Sequence, residues 1–279
     1  MSKLTVACAQ IECLPGDIAS NLAKHLAMIG EARSNGADLV VFPELSLCDY
    51  LSVPDTAVLA RAPDAEEIRT IAQAADGLDV SFGFVESGAD GRCYNSQALV
   101  SGGRIVHIHR KLNLPTYGNL QETLHYRPGE RLETAALSGG LTAATLICAD
   151  SWNPALPWLA ALQRPDLLIQ PIASARSAVG GDFDNPANWA INLRHTAMTY
   201  GLPVVMTNHC GTRDGLDFWG GSTVIDAYGR ELVSADDKET IIYAGIEAAD
   251  TAKARDLLPT IRDADPALIR AELERFLAS

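Results

Sequence analysis

The sequence predicts an α/β fold built on mixed sheets, organised as one domain over residues 1–279. Three observations lead there. Short β-branched runs alternate with longer stretches of helical periodicity. Turn-forming pairs separate some neighbouring runs, as hairpins require. The run ADLVVF (37–42) is almost continuously apolar, as a strand covered on both faces must be.

Along the chain, LTVACAQ (4–10) is the first strand. The apolar spacing of 17–34 predicts an amphipathic helix, with Asp17 or Ser20 at its cap and Asn35-Gly36 at its end. After the strand at 37–42, a second helix is expected over 64–76. Strands follow at 79–86, 94–100 and 104–109, with Asp90-Gly91 and Gly102-Gly103 as hairpin turns. The second half repeats the habit. Strands at 141–147, 166–171, 203–207, 221–226 and 240–246 are interleaved with helices at 154–163 and 186–200, and a charged helix over 266–277 comes last. No linker, low-complexity tract or short repeat interrupts this order.

Composition narrows the function. Of 279 residues, 47% are hydrophobic and 20% charged, enough for a sizeable core and unlike a disordered chain. The net charge of −13 argues against a general nucleic-acid binder, which needs a basic face to displace phosphate counterions. No apolar run approaches the roughly 18–20 residues that span a bilayer, so a soluble protein without a membrane partner is expected. The opening MSKLTVACAQIECLPG lacks the long apolar core of a signal peptide. The six cysteines (8, 13, 48, 93, 148 and 210) include no C-x-x-C pair and read as reduced thiols in the cytoplasm. His107 and His109 share one face of a strand, but no third ligand stands at a zinc-like spacing, so no metal site is expected.

Three polar residues stand just past three apolar strands. Glu44 follows the run at 37–42, Lys111 the run at 104–109, and Cys148 the run at 141–147. In α/β folds, functional groups collect beyond the carboxyl ends of strands, where loops converge. A thiol, a carboxylate and an ammonium form a chemically coherent set of nucleophile, proton carrier and oxyanion donor. Singly, each has an ordinary explanation: an inert small hydrophobe, a solvated turn carboxylate, a solvated strand end. Spacing alone leaves both readings open.

The segments FPELSLCDY (42–50), HRKLNLPTYGNLQE (109–122) and LICADSWNP (146–154) resemble the three signature segments of the nitrilase superfamily of carbon–nitrogen hydrolases. The resemblance extends along the chain through VACAQIECLPGDIASN, NWAINLRHTAMTYGLPVVMTN, FWGGSTVIDAYG and LPTIRDADP. It implies a four-layer α-β-β-α sandwich and a Glu44–Lys111–Cys148 triad that needs no metal or organic cofactor. Glu122 matches a second active-site glutamate that would orient Lys111 or help place substrate. Attack of Cys148 on an amide carbonyl would give an oxyanion held by Lys111 and the Ala149 N–H, then a thioester that water hydrolyses. The start of a helix near Asn153-Pro154 would add a partial positive field.

Tyr117, Trp152, Ser174 and Arg176 are the further candidates for lining the substrate pocket. His125, Tyr126, Arg213 and Trp219 also lie in site-bearing stretches, without a distinguishing pattern. Where many family members carry Glu-Asn before the PVV-type strand, this chain has Thr199-Tyr200, which weakens any transfer of specificity or subunit contacts. NLPTYGNLQE is most like amidase and glutaminase-type members, so the leading expectation is an amidohydrolase acting on a small linear amide. A nitrilase, an N-carbamoyl-amide hydrolase, an acyltransferase, an ammonia-supplying glutaminase subunit and a binding protein without turnover are the alternatives. A homodimer or larger homo-oligomer is expected from the family.

Overall fold

A computed structural model of the chain describes residues 3–50, 56–118 and 120–279; Asn119, inside the second signature segment, lies outside them. The first half forms β1 (Lys3–Gln10), α1 (Ile18–Ser34), β2 (Leu39–Val41), α2 (Thr56–Leu59), α3 (Glu66–Ala74), β3 (Asp79–Ser87), β4 (Cys93–Ser101) and β5 (Arg104–Arg110). The second half begins with β6 (Thr134–Ala136), β7 (Thr142–Thr145), α4 (Ala155–Leu162), β8 (Leu167–Pro171) and α5 (Asn185–Tyr200). It continues with β9 (Val204–Thr207), β10 (Cys210–Arg213), β11 (Leu216–Trp219), β12 (Thr223–Ile225), β13 (Glu231–Ser234), β14 (Thr240–Glu247), α6 (Ala248–Leu257) and α7 (Pro266–Leu277).

Two six-stranded mixed sheets result, ordered β14-β1-β2-β3-β4-β5 and β13-β12-β9-β8-β7-β6. Each has a parallel centre, β1-β2-β3 in one and β7-β8-β9 in the other, flanked by antiparallel strands. The period of two along each strand builds the layers. Leu4, Val6 and Cys8 of β1 face Leu167 and Ile169 of β8 and Val205 of β9 between the sheets. Ala7 and Ala9 point the other way, toward Ile29 and Ala32 of α1 and Ile68 and Ile71 of α3. On the far side, Leu168, Val204 and Met206 pack against Trp189, Leu193 and Ala197 of α5. The fold is therefore the four-layer α-β-β-α sandwich.

Caps fall where local chemistry places them. The Asp17 side chain accepts from the Ser20 amide, and Gly36 follows α1 at φ +73°. Asp184 caps α5 by accepting from the Ala187 amide. Elements beyond the expected ones are short or polar: α2, β6, β13, α6 and the β10–β11 hairpin. That hairpin turns at Asp214-Gly215, both at positive φ (49° and 76°), which is the Asp-Gly turn geometry that favours tight hairpins. Among the described residues, no helix is long and apolar enough to cross a membrane.

Close backbone approach shapes the end of β2. Residues 42–47 run alongside β3, with the Phe42 amide donating to Ser81 O (2.8 Å) and the Leu47 amide to Gly83 O (2.9 Å). A Cβ on Gly83 would lie 2.2 Å from Leu45 N, 2.7 Å from Pro43 O and 2.8 Å from Glu44 C, so only glycine lets this segment lie flat. From the other side, buried His25 of α1 donates from Nδ1 to Asn21 O (2.7 Å) and accepts the Ser46 hydroxyl at Nε2 (2.9 Å). Ser46 Oγ in turn accepts from the Gly83 amide (3.2 Å). Gly83→Ala is expected to destabilise the fold by about 1–3 kcal/mol or more, the usual cost of overpacking where backbone must yield. A urea midpoint equal to that of the parent would show that the approach is looser than described.

Candidate active site

The carboxyl ends of the parallel strands in both sheets meet at one place. Glu44 follows β2, and Lys111 follows β5, which runs in the same direction as β3. From the second sheet come Cys148 after β7 and Ala173-Ser174 after β8. Glu44 and Lys111 are fully buried and Glu122 is 4% exposed. The Lys111 ammonium donates to Glu44 Oε1 at 2.6 Å and to Glu122 Oε1 at 2.7 Å. Glu44 Oε1 also accepts from Asn95 Nδ2 (2.7 Å), and its Oε2 accepts the Ala173 amide across the sheets (2.9 Å). Tyr50 donates its hydroxyl to Glu122 Oε1 (2.7 Å).

The electrostatics follow from this crowding. Burial works against the Lys111 ammonium, but the Glu122 and Glu44 carboxylates outweigh it and hold the amine well above its ordinary range. Glu122 is pushed up to about 7, first by burial, with Lys111 pulling down and Glu44 adding to the rise. Its Oε2 is buried without a hydrogen-bond partner among the described residues.

Cys148 is half-buried, sits in the left-handed region at φ +44°, and opens a 3₁₀ turn over Cys148–Trp152. Leu45, the residue after Glu44, is also left-handed at φ +50°. Non-glycine residues rarely adopt this conformation, and both flank the meeting point. Burial pushes the Cys148 thiol well above its ordinary range, and the charge of Glu44 adds to this. Lys111 counters it, as does a hydrogen bond from the Ala173 amide. The thiol therefore shares one electrostatic environment with Glu44, Lys111 and Glu122. Cys148 itself opens the turn that follows β7, and α4 begins at Ala155 with Pro154 as its N-cap, where the sequence places a helix start.

Asp150 ties the cysteine turn to the lysine loop. Its Oδ1 accepts the amides of Leu112 (2.9 Å) and Asn113 (2.7 Å), while Oδ2 accepts the Ile147 amide (2.9 Å) and meets His109 Nε2 (2.9 Å). Asn113 Nδ2 closes the tie on Ala149 O (2.8 Å). The Ala149 N–H belongs to the first turn, where amides lack an intrahelical partner. Gly129 donates its amide to Lys111 O (2.8 Å), and a Cβ there would lie 2.4 Å from Arg110 O, so glycine lets the loop close back on Lys111.

The remaining candidates sort by their partners. Tyr117 is 41% exposed, and its hydroxyl is pushed up to about 12 by burial and by the neighbouring Cys148. Trp152 packs edge-on to Trp189 (4.9 Å between centroids) and to Phe183 (5.9 Å). Ser174 is buried, its Oγ accepting from Asn185 Nδ2 (2.7 Å) and Trp189 Nε1 (3.1 Å). Arg176 is more than half exposed and donates to Asp217 Oδ2 at 2.9 Å. Among the described residues, no group of three or more His, Cys, Asp or Glu side chains could hold a metal ion.

Sequence reasoning missed Tyr50, Asn95, Asp150 and the Ala173 amide. Asn95 carried a readable signal: Asn95-Ser96-Gln97 is a polar triplet inside an otherwise apolar strand, and all three are buried. Tyr50 and Asp150 stand inside the quoted signature segments without a pattern that assigns them a role, and the Ala173 amide carried no signal.

Residues 5–256 match the family model described as Carbon-nitrogen hydrolase. A glutamine-dependent NAD(+) synthetase of Thermotoga maritima is 33% identical over 239 residues, 83% of this chain; the chain spans only 40% of that protein's length. An (R)-stereoselective amidase of a Pseudomonas species is 33% identical over 227 residues, covering 79% of this chain and 76% of the amidase. Among solved structures, a mutant amidase from a Nesterenkonia species superposes with a TM-score of 0.80 at 25% identity, covering 98% of this chain and 95% of that one; its active-site cysteine carries the acetamide moiety of fluoroacetamide. The chain belongs to the carbon–nitrogen hydrolase family of the nitrilase superfamily.

Proposed function

We propose that this chain is a cysteine-dependent amidohydrolase that cleaves a small linear amide through a thioester on Cys148. The observation carrying the reading is the buried Lys111 ammonium held between Glu44 and Glu122, with the Cys148 thiol in the same electrostatic environment. The cysteine adduct of the Nesterenkonia amidase supports the same nucleophile, and the Pseudomonas amidase supports an amide substrate.

The steps balance on these groups. A thiol held above its ordinary range keeps its proton at rest, so proton transfer to Glu44 accompanies attack of Sγ on the carbonyl carbon. The ammonium has three N–H donors, of which two serve Glu44 and Glu122; the third, with the Ala149 N–H, stabilises the oxyanion. As the tetrahedral adduct collapses, the C–N bond breaks and Glu44 passes its proton to the departing nitrogen, leaving the thioester. Glu44 then deprotonates a water that attacks the thioester, and the sulfur leaves to recover its proton. Glu122 fixes Lys111. Tyr117 and Trp152 flank the substrate, and Ser174 and Arg176 enter only through the loop they anchor. The proposal extends to a single cytoplasmic domain, working as a homo-oligomer without a metal or organic cofactor.

A second reading, hydrolysis of the side-chain amide of glutamine, draws on the similarity to the NAD(+) synthetase. Ammonia release from short aliphatic amides, glutamine, N-carbamoyl compounds and nitriles separates the readings: the leading one expects aliphatic amides to turn over and nitriles not to. Adding hydroxylamine tests acyl transfer by the hydroxamate it would form.

Cys148→Ala is expected to lower turnover by about 10³-fold or more while leaving the thermal midpoint unchanged. Parental activity in that variant would sink the assignment. Burial pushes Glu122 up to about 7, so its carboxylate charge is gained as pH rises through that value, and kcat/KM is expected to show an acid limb there. Glu122→Gln should flatten that limb; a profile that keeps it would assign the limb to another group.

A further inference from the structure

Beside the lysine clamp lies a second buried charge cluster that takes no part in the steps above. Asp49, fully buried and left-handed at φ +70°, accepts Arg213 Nε at Oδ2 (2.5 Å) and Arg213 Nη2 at Oδ1 (2.7 Å), a two-pronged ion pair. Arg213 ends β10. Its Nη1 donates to Cys210 O (2.9 Å), and its guanidinium carbon sits 4.1 Å above the Phe218 ring of β11. The hairpin and Asp49 thus hold the guanidinium between them.

From there two arms reach the clamp. Arg213 Nη2 meets His209 Nδ1 at 3.0 Å; a guanidinium only donates, so Nδ1 accepts. Burial keeps the His209 ring below its ordinary range, against the pull of Asp49, so the ring is neutral and carries its one proton on Nε2. That N–H donates to the carbonyl oxygen of Glu44 at 2.6 Å. In the other arm, the Tyr50 amide donates to Asp49 Oδ1 (2.7 Å) while its hydroxyl holds Glu122. One arginine thereby orders the backbone of Glu44 and the side chain of Glu122.

We propose that Arg213, Asp49 and His209 are positioning residues for the hydrolytic reaction, setting both carboxylates against Lys111 from the β10–β11 hairpin. The proposal rests on the reading of Glu44, Lys111 and Cys148 as the reacting set. A buried ion pair is poor evidence for stability, since packed apolar residues often replace one without loss. The arms give this one a geometric task, and misplacing a reacting group by about 1 Å can cost 10²-fold in rate.

The test measures kcat and KM on the best-turned-over amide of the panel, using the full chain. His209→Leu removes both hydrogen bonds and is expected to lower kcat about 10²-fold, with KM within about threefold of the parent. His209→Gln restores an N–H where Nε2–H stood and should recover kcat to within about tenfold. The double variant Asp49→Leu/Arg213→Met exchanges the ion pair for apolar contact, and should fold by circular dichroism yet stay as slow as His209→Leu. Parental kcat in His209→Leu or the double variant would overturn the proposal. So would a loss that tracks the folded fraction, a loss confined to KM, or no recovery with Gln. Cys148→Ala run alongside separates the failures: turnover by that variant sinks the reaction assignment, whereas an inactive Cys148→Ala with a fully active His209→Leu sinks only the positioning role.

Discussion

A fully buried ammonium has to be compensated, and here two carboxylates do it. Taking a charge out of water costs several kcal/mol per ion even after relaxation, so Lys111 is tenable only while Glu44 and Glu122 face it. Much of the surrounding architecture supplies that condition. Gly83 lets the Glu44 segment lie on β3, Gly129 lets the lysine loop return, Asn95 and Ala173 occupy two further lone pairs of Glu44, and Tyr50 holds Glu122. Burial, with the charge of Glu44 added, pushes Glu122 up to about 7 against the pull of Lys111.

The clamp has a chemical corollary. With the thiol held above its ordinary range by burial and by Glu44, the proposed reaction starts from a protonated sulfur. On that proposal, proton transfer waits for a substrate carbonyl to accept the developing charge, next to donors already in place. An idle enzyme of this design keeps its sulfur protonated, which limits reaction with stray oxidants and electrophiles.

What was legible in the sequence, and what was not, divides by range. The strand–helix alternation and the placement of Glu44, Lys111 and Cys148 after apolar runs are local patterns, and the second glutamate could be matched within its motif. Partners that act across the fold leave no such trace. Ala173 contributes a backbone amide, which any residue would supply. Asp150 works by accepting from amides 35 or more residues upstream as well as from its own turn. Arg213 was noticed without a role because its partner, Asp49, is separated from it by most of the chain. The Asp-Gly turn between β10 and β11 was a readable hairpin signal that the glycine-rich surroundings obscured.

The groups of the proposed triad are divided between the two sheets: carboxylate and ammonium on one, sulfur on the other, joined across the seam by the Ala173 amide. Their alignment is therefore a property of how one slab sits on its neighbour, set by side chains such as Val6, Leu39, Ile169 and Val205 that never approach the chemistry. A slight shear at that seam would leave every strand intact and still part the Cys148 sulfur from Glu44. If the proposed triad does the chemistry, turnover reads the registry of the two layers, which a measure of secondary structure would miss.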